Sequence, residues 1–96
     1  MASAEIEIRN PSGLHARPAA VFVRAAGALE TEVRVTNLTR DGAKSASARS
    51  VLGVMGLGVA RGHRIRLEAD GDGAEEAVRA LAELVAGGLG EDLGEE

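Results

Sequence analysis

Polar and apolar positions alternate from Ala4 to Arg9. Ala4, Ile6 and Ile8 fall on one side and Glu5, Glu7 and Arg9 on the other, the period of two that marks a strand with one buried face. The alternation stops at Asn10-Pro11-Ser12-Gly13, four turn formers that cannot extend a ladder. From Ala16 the period lengthens. Ala19, Phe22, Val23 and Ala26 recur at helical spacing, and Pro18 lies in the first turn, where a missing N–H removes no helical bond; the spacing predicts a helix from Ala16 to near Gly27. Alternation returns over Glu32 to Asn37, with Val33, Val35 and Asn37 on one side. Asp41-Gly42 then gives a hairpin-type turn signal, and a third strand follows within Ala43 to Ala48. Its alanines and serines are poor strand formers, which assigns it to a sheet edge.

Ser50 precedes the short apolar run Val51-Leu52-Gly53-Val54-Met55, the arrangement of an N-cap and a helix of one or two turns. A fourth strand is expected from His63 to Ala69, where Ile65, Leu67 and Ala69 alternate with Arg64, Arg66 and Glu68. Past the turn Asp70-Gly71-Asp72-Gly73, the residues Ala74, Ala77, Val78, Leu81, Leu84 and Val85 form one apolar helical face, with Glu75 and Glu76 placed to complement the helix dipole. The order β-α-β-β-α-β-α describes an α+β, open-faced sandwich in which amphipathic helices cover one face of a small sheet. Residues 1–88 are read as a single domain. Residues 89–96, rich in acids and glycine, are read as a flexible tail frayed from Leu89 onward.

Composition narrows the function. With no cysteine there is no disulfide, thiol catalysis or zinc ribbon, and the reducing cytoplasm is the expected compartment. Two histidines are too few for a histidine-rich metal site, and no metal is assigned. No apolar run approaches the roughly 20 residues that span a bilayer, and the N-terminus has no signal-peptide pattern, so membrane insertion is not expected. A net charge of -4 and a single aromatic residue, Phe22, argue against nucleic-acid binding.

The chemistry concentrates in Gly13-Leu14-His15-Ala16-Arg17-Pro18, which sets a histidine between a glycine-containing loop and a helix N-terminus. First-turn N–H groups and the positive end of the helix dipole suit an anion there, and Arg17 can add a guanidinium. A neutral imidazole nitrogen is an available nucleophile near neutral pH. The loop glycine, the histidine, the guanidinium and the helix-starting proline together make a phosphoryl site that needs no metal. His63, with no motif around it, is read as an exposed structural residue.

The segment Gly13-Leu14-His15-Ala16-Arg17-Pro18-Ala19 resembles the active-site segment of the HPr family, the histidine-containing phosphocarriers of the bacterial phosphoenolpyruvate:sugar phosphotransferase system. Arg49-Ser50-Val51-Leu52-Gly53-Val54-Met55-Gly56-Leu57-Gly58 is similar to the same family's regulatory-site segment, and the resemblance covers about residues 4 to 88. Gly56 stands where that helix often has a serine, and Ala43 to Ala48 runs about one residue longer than usual. The resemblance implies a four-stranded antiparallel sheet with three helices on one face. It makes His15 the phosphoryl acceptor at Nδ1 and Arg17 its charge partner, with Ser12 and Ala16 lining the phosphate pocket through backbone amides. Arg24 and Arg49 would meet partner proteins, and Val51, Leu52 and Met55 would form an apolar docking patch. Ser50, the expected helix cap, would by the same resemblance match a serine that in some bacteria is the target of a serine kinase/phosphorylase.

The partners so implied are enzyme I as donor and sugar-specific enzyme II A components as acceptors, with a monomeric carrier that needs no cofactor. Such a carrier is not an enzyme in its own right, because one histidine and one arginine without a deep pocket do not make a turnover site. A different circuit, in a regulatory or dihydroxyacetone-kinase phosphorelay, would use the same chemistry. A Ser50-centred regulatory module with an idle His15 is the other reading, and the intact segment around His15 speaks against it.

Overall fold

Strands with one apolar side need a shared core, and a computed structural model supplies it for the residues it describes, 1–39 and 44–91. In chain order the elements are β1 (Ala2–Glu7), α1 (Ala16–Gly27), β2 (Arg34–Asn37), β3 (Ser45–Ser47), α2 (Val51–Gly56), β4 (Arg64–Ala69) and α3 (Ala74–Ala86). The four strands form one antiparallel sheet in the order β1-β4-β2-β3. β4 is central in register as well as in order: Ala2 to Glu7 pair with Ala69 to Arg64 on one side, and Arg34 to Asn37 pair with Glu68 to Ile65 on the other.

The three helices bring their apolar stripes to the sheet. Phe22 and Ala19 of α1, Val54 of α2, and Ala77, Val78, Leu81 and Val85 of α3 join Val35, Ile65 and Leu67 in one core. Phe22 is fully buried, and each such large side chain removed from water contributes about 1.5–3 kcal/mol. This is the open-faced sandwich that the sequence predicts.

The limits differ in instructive places. β1 is assigned two residues earlier than Ala4 to Arg9, because beyond Glu7 the chain leaves β4 and bonds to the turn before it: Ile8 N–H donates to the His63 carbonyl at 2.8 Å and Gly62 N–H to the Ile8 carbonyl at 2.7 Å. β3 is only three residues long and lies at the sheet edge, as its weak propensity implies, while the Asp41-Gly42 turn falls outside the described residues. His63 is half-buried rather than exposed. Its Nδ1 accepts from the Ala60 N–H at 3.2 Å and lies 3.4 Å from the Asn37 amide nitrogen, so it braces the 59–63 turn from inside.

The end of α3 departs most from expectation. Gly88 adopts φ +95, and N–H groups of Gly88 and Leu89 donate to the carbonyls of Val85 (3.0 Å) and Leu84 (3.2 Å). These two bonds and the left-handed glycine define a Schellman stop, which satisfies carbonyls that the helix end would otherwise leave open. Leu89 follows as the apolar residue of that motif and is fully buried. Residues 89–91 are therefore packed onto the domain where fraying was expected; the remainder of the acidic tail, 92–96, falls outside the described residues.

Candidate functional site

The loop between β1 and α1 is held from both sides. Gly13 N–H donates to the Asn10 carbonyl at 3.2 Å, closing a β-turn with Pro11 at its second position and glycine at its fourth. Gly13 takes φ +60, and a Cβ there would run into the Val59 carbonyl oxygen and come within 2.8 Å of the Ala60 Cα. Only glycine fits both the backbone and the space. One residue on, Leu14 is fully buried and its N–H donates to the Val59 carbonyl at 3.1 Å, which pins the chain just before His15.

His15 is the N-cap of α1, with extended backbone (φ -123, ψ 150) and no side-chain hydrogen bond to the helix. Its ring is exposed. Ala16 takes φ +48, a left-handed conformation in a residue with a Cβ, at the point where the loop becomes the helix. Pro18 occupies the third helical position, still among the four whose N–H groups have no helical acceptor. Among the described residues, the N–H groups of Ala16 and Arg17 have no hydrogen-bond acceptor, which leaves two donors beside the imidazole at the positive end of α1. Arg17 is exposed and in no ion pair with a described residue. An exposed nucleophilic nitrogen, two open amides and an available guanidinium can hold and neutralise a phosphoryl group.

Ser12 is placed in the same loop but is otherwise engaged. Its N–H donates to Glu91 Oε1 at 3.1 Å and its hydroxyl to Glu91 Oε2 at 2.9 Å, while the buried Asn10 donates its side-chain amide to Glu91 Oε1 at 3.1 Å and to the Gly13 carbonyl at 2.9 Å. Hydrogen bonds from the Asn10 side chain and the Ser12 amide hold the Glu91 carboxyl below its ordinary range, and the charge of Arg17 adds a smaller pull in the same direction. Asn10 Oδ1 is buried without a partner among the described residues. Neither Asn10 nor Glu91 is singled out by the sequence pattern. The signal for Glu91 is indirect: Gly87-Gly88 followed by the apolar Leu89 fits a Schellman stop that returns the chain to the domain.

The second group of predicted residues lies on α2 and its entry. Ser50 is the N-cap of α2, its Oγ accepting from the Gly53 N–H at 3.0 Å. Val51 and Leu52 are 42% and 81% exposed, whereas Met55 is half-buried against the core. Arg24 is exposed in the last turn of α1. Arg49 is exposed too, yet its Nη2 donates to the Leu29 carbonyl at 2.7 Å, so its guanidinium already ties the entry of α2 to the chain leaving α1. None of these residues joins the hydrogen bonds of the His15 loop. Among the described residues, no group of acidic and histidine side chains could hold a metal ion, and no helix is long and apolar enough to cross a membrane.

Comparison with known proteins finds one family. Residues 2–87 match the family described as "PTS HPr component phosphorylation site". The phosphocarrier protein HPr of Streptomyces coelicolor is 48% identical over 91 residues, which cover 95% of this chain and 95% of that protein. The multiphosphoryl transfer protein of Salmonella typhimurium is 46% identical over 89 residues, 93% of this chain but 23% of that protein, so the chain spans about a quarter of such relatives. Among solved structures, HPr-C-His from Thermoanaerobacter tengcongensis superposes with a TM-score of 0.85 at 41% identity, covering 96% of this chain and 99% of that one.

Proposed function

Because the chain belongs to the HPr family of histidine-containing phosphocarriers, we propose that His15 accepts a phosphoryl group from phosphorylated enzyme I and passes it to sugar-specific enzyme II A components of the phosphotransferase system. The observation that carries this reading is the exposed His15 ring at the N-cap of α1, beside two amides with no acceptor among the described residues and beside Arg17. In the transfer, the lone pair of a neutral ring nitrogen, Nδ1, attacks phosphorus; an N–P bond forms as the donor's bond to phosphorus breaks. No proton has to leave the ring first. Arg17 and the first-turn amides meet the charge of the arriving group, strongly enough to hold it and weakly enough to release it. The reverse geometry serves donation to the next protein.

Val51 and Leu52 form the exposed part of the docking surface, with Met55 beneath them as an adaptable support and Arg24 as a charged contact. Phosphorylation of Ser50 by a serine kinase/phosphorylase would add about two negative charges beside this surface and block docking, since a helix N-terminus tolerates them without unfolding. The carrier acts as a cytoplasmic monomer and turns nothing over without its partners.

The test is intact mass after incubation with phosphoenolpyruvate, magnesium and an active enzyme I. One acid-labile phosphoryl group is expected on the chain and on Ser50→Ala, and none on His15→Ala. No gain on the unaltered chain, with the host's own enzyme I included, would sink the reading. Transfer of the label to a dihydroxyacetone-kinase component in place of an enzyme II A component would keep the chemistry and assign the other circuit.

A further inference from the structure

Glu91 lies 79 residues from Ser12 in sequence, yet both of its carboxylate oxygens are taken by the loop that carries His15. Three donors converge on it, and one belongs to Asn10, a fully buried side chain that also donates to the Gly13 carbonyl at 2.9 Å. The contact is built rather than incidental. Gly88, Leu89 and Gly90 take φ of +95, +54 and +86 in succession, Leu89 is buried, and Glu91 N–H donates to the Gly88 carbonyl at 2.9 Å. A leucine adopts left-handed backbone only where its surroundings enforce it, so the chain is bent at Leu89 to deliver the next acidic side chain to the loop.

We propose that Glu91 is a positioning residue for phosphoryl acceptance: its carboxylate clamps the Asn10–Gly13 turn from which His15 is presented, and Ser12 serves that clamp rather than the phosphate. This role rests on the phosphocarrier reading above. The Ser12 N–H and hydroxyl are already bonded to an anion of the chain itself. What remains open to the phosphoryl group is the pair of first-turn amides and Arg17. Loss of the carboxylate releases the turn, and a loosened turn misplaces the nucleophile; displacements of an ångström at a reacting atom cost up to about a hundredfold in rate.

The experiment compares the full chain with Glu91→Ala, Glu91→Gln, Ser12→Ala and the Ser12→Ala/Glu91→Ala pair. It reads the rate of His15 phosphorylation by enzyme I and the amide proton shift of Ser12 in the unphosphorylated proteins. Glu91→Ala should slow phosphorylation roughly five- to tenfold. Glu91→Gln, which keeps an acceptor oxygen, should recover part of that loss, and the double variant should be no slower than Glu91→Ala alone because the two residues act as one unit. The Ser12 amide proton should move upfield in both Glu91 variants. An unchanged rate in Glu91→Ala, or a Ser12→Ala effect equally large with and without Glu91, overturns the role. Failure of the unaltered chain to accept any phosphoryl group overturns the phosphocarrier reading itself, a different outcome from an unchanged rate in the variants.

Discussion

Ala16 is where the loop hands over to α1, and it does so at φ +48. Left-handed backbone in a residue with a Cβ costs roughly 1–3 kcal/mol, so the turn before it has to be held firmly. Gly13 against the Val59 carbonyl and the Glu91 carboxylate on Ser12 and Asn10 supply that hold from two distant parts of the sequence. Gly13, His15 and Arg17 were legible as a site, because they lie within five residues of one another and each residue type has a mechanism of its own, but the Val59 contact was not. Glu91 was not, since no local pattern announces a partner 79 residues away. Its ionisation gives a sign. The folded-state carboxyl sits below the ordinary value of 4.5, so its stabilisation is complete above that value and fades as pH falls through the lower folded one. Urea midpoints of the chain and of Glu91→Gln should differ by a constant amount from neutral pH down to about 5, and should converge below about 4.5. A gap that widens on acidification would contradict the clamp.

The helices were legible to the extent that they carry their own punctuation. Ser50 caps α2 in the structure as its position implies, and Ser50→Ala should lower stability by about 1 kcal/mol in a denaturation experiment, without any kinase present. A change much below that would mean that tertiary packing alone keeps the six-residue helix. Arg49 shows where reading by element stops. The resemblance implies a partner contact for it, and the bond to the Leu29 carbonyl adds a task within the domain that depends on where α1 ends in space. The close of α3 follows the same logic: Gly87-Gly88 reads as a stop, and only the packing of Leu89 turns that stop into a return.

At the scale of the molecule, period-two and helical spacing were enough for the architecture, because each apolar face needs a partner and the open-faced sandwich supplies one for every element. Strand order was not readable from period alone. β4 lies between β1 and β2, with pairs on both sides, while β3 borders the sheet with three residues of small side chain. Amide exchange should divide accordingly, with β4 protected roughly tenfold or more beyond β3. Comparable protection in the two strands would show that the edge is covered.

The pairing of Ala2 with Ala69 also sets an order in time. A growing chain makes β1 well before β4, and β1 has no neighbour in the sheet until residues 64–69 have left the ribosome, so it waits while the segment between them is made. The Asn10–Gly13 turn waits longer still, since the carboxylate that closes on it belongs to Glu91, which follows α3. The nucleophile's loop is translated before the residues that close on it and is fixed only after them.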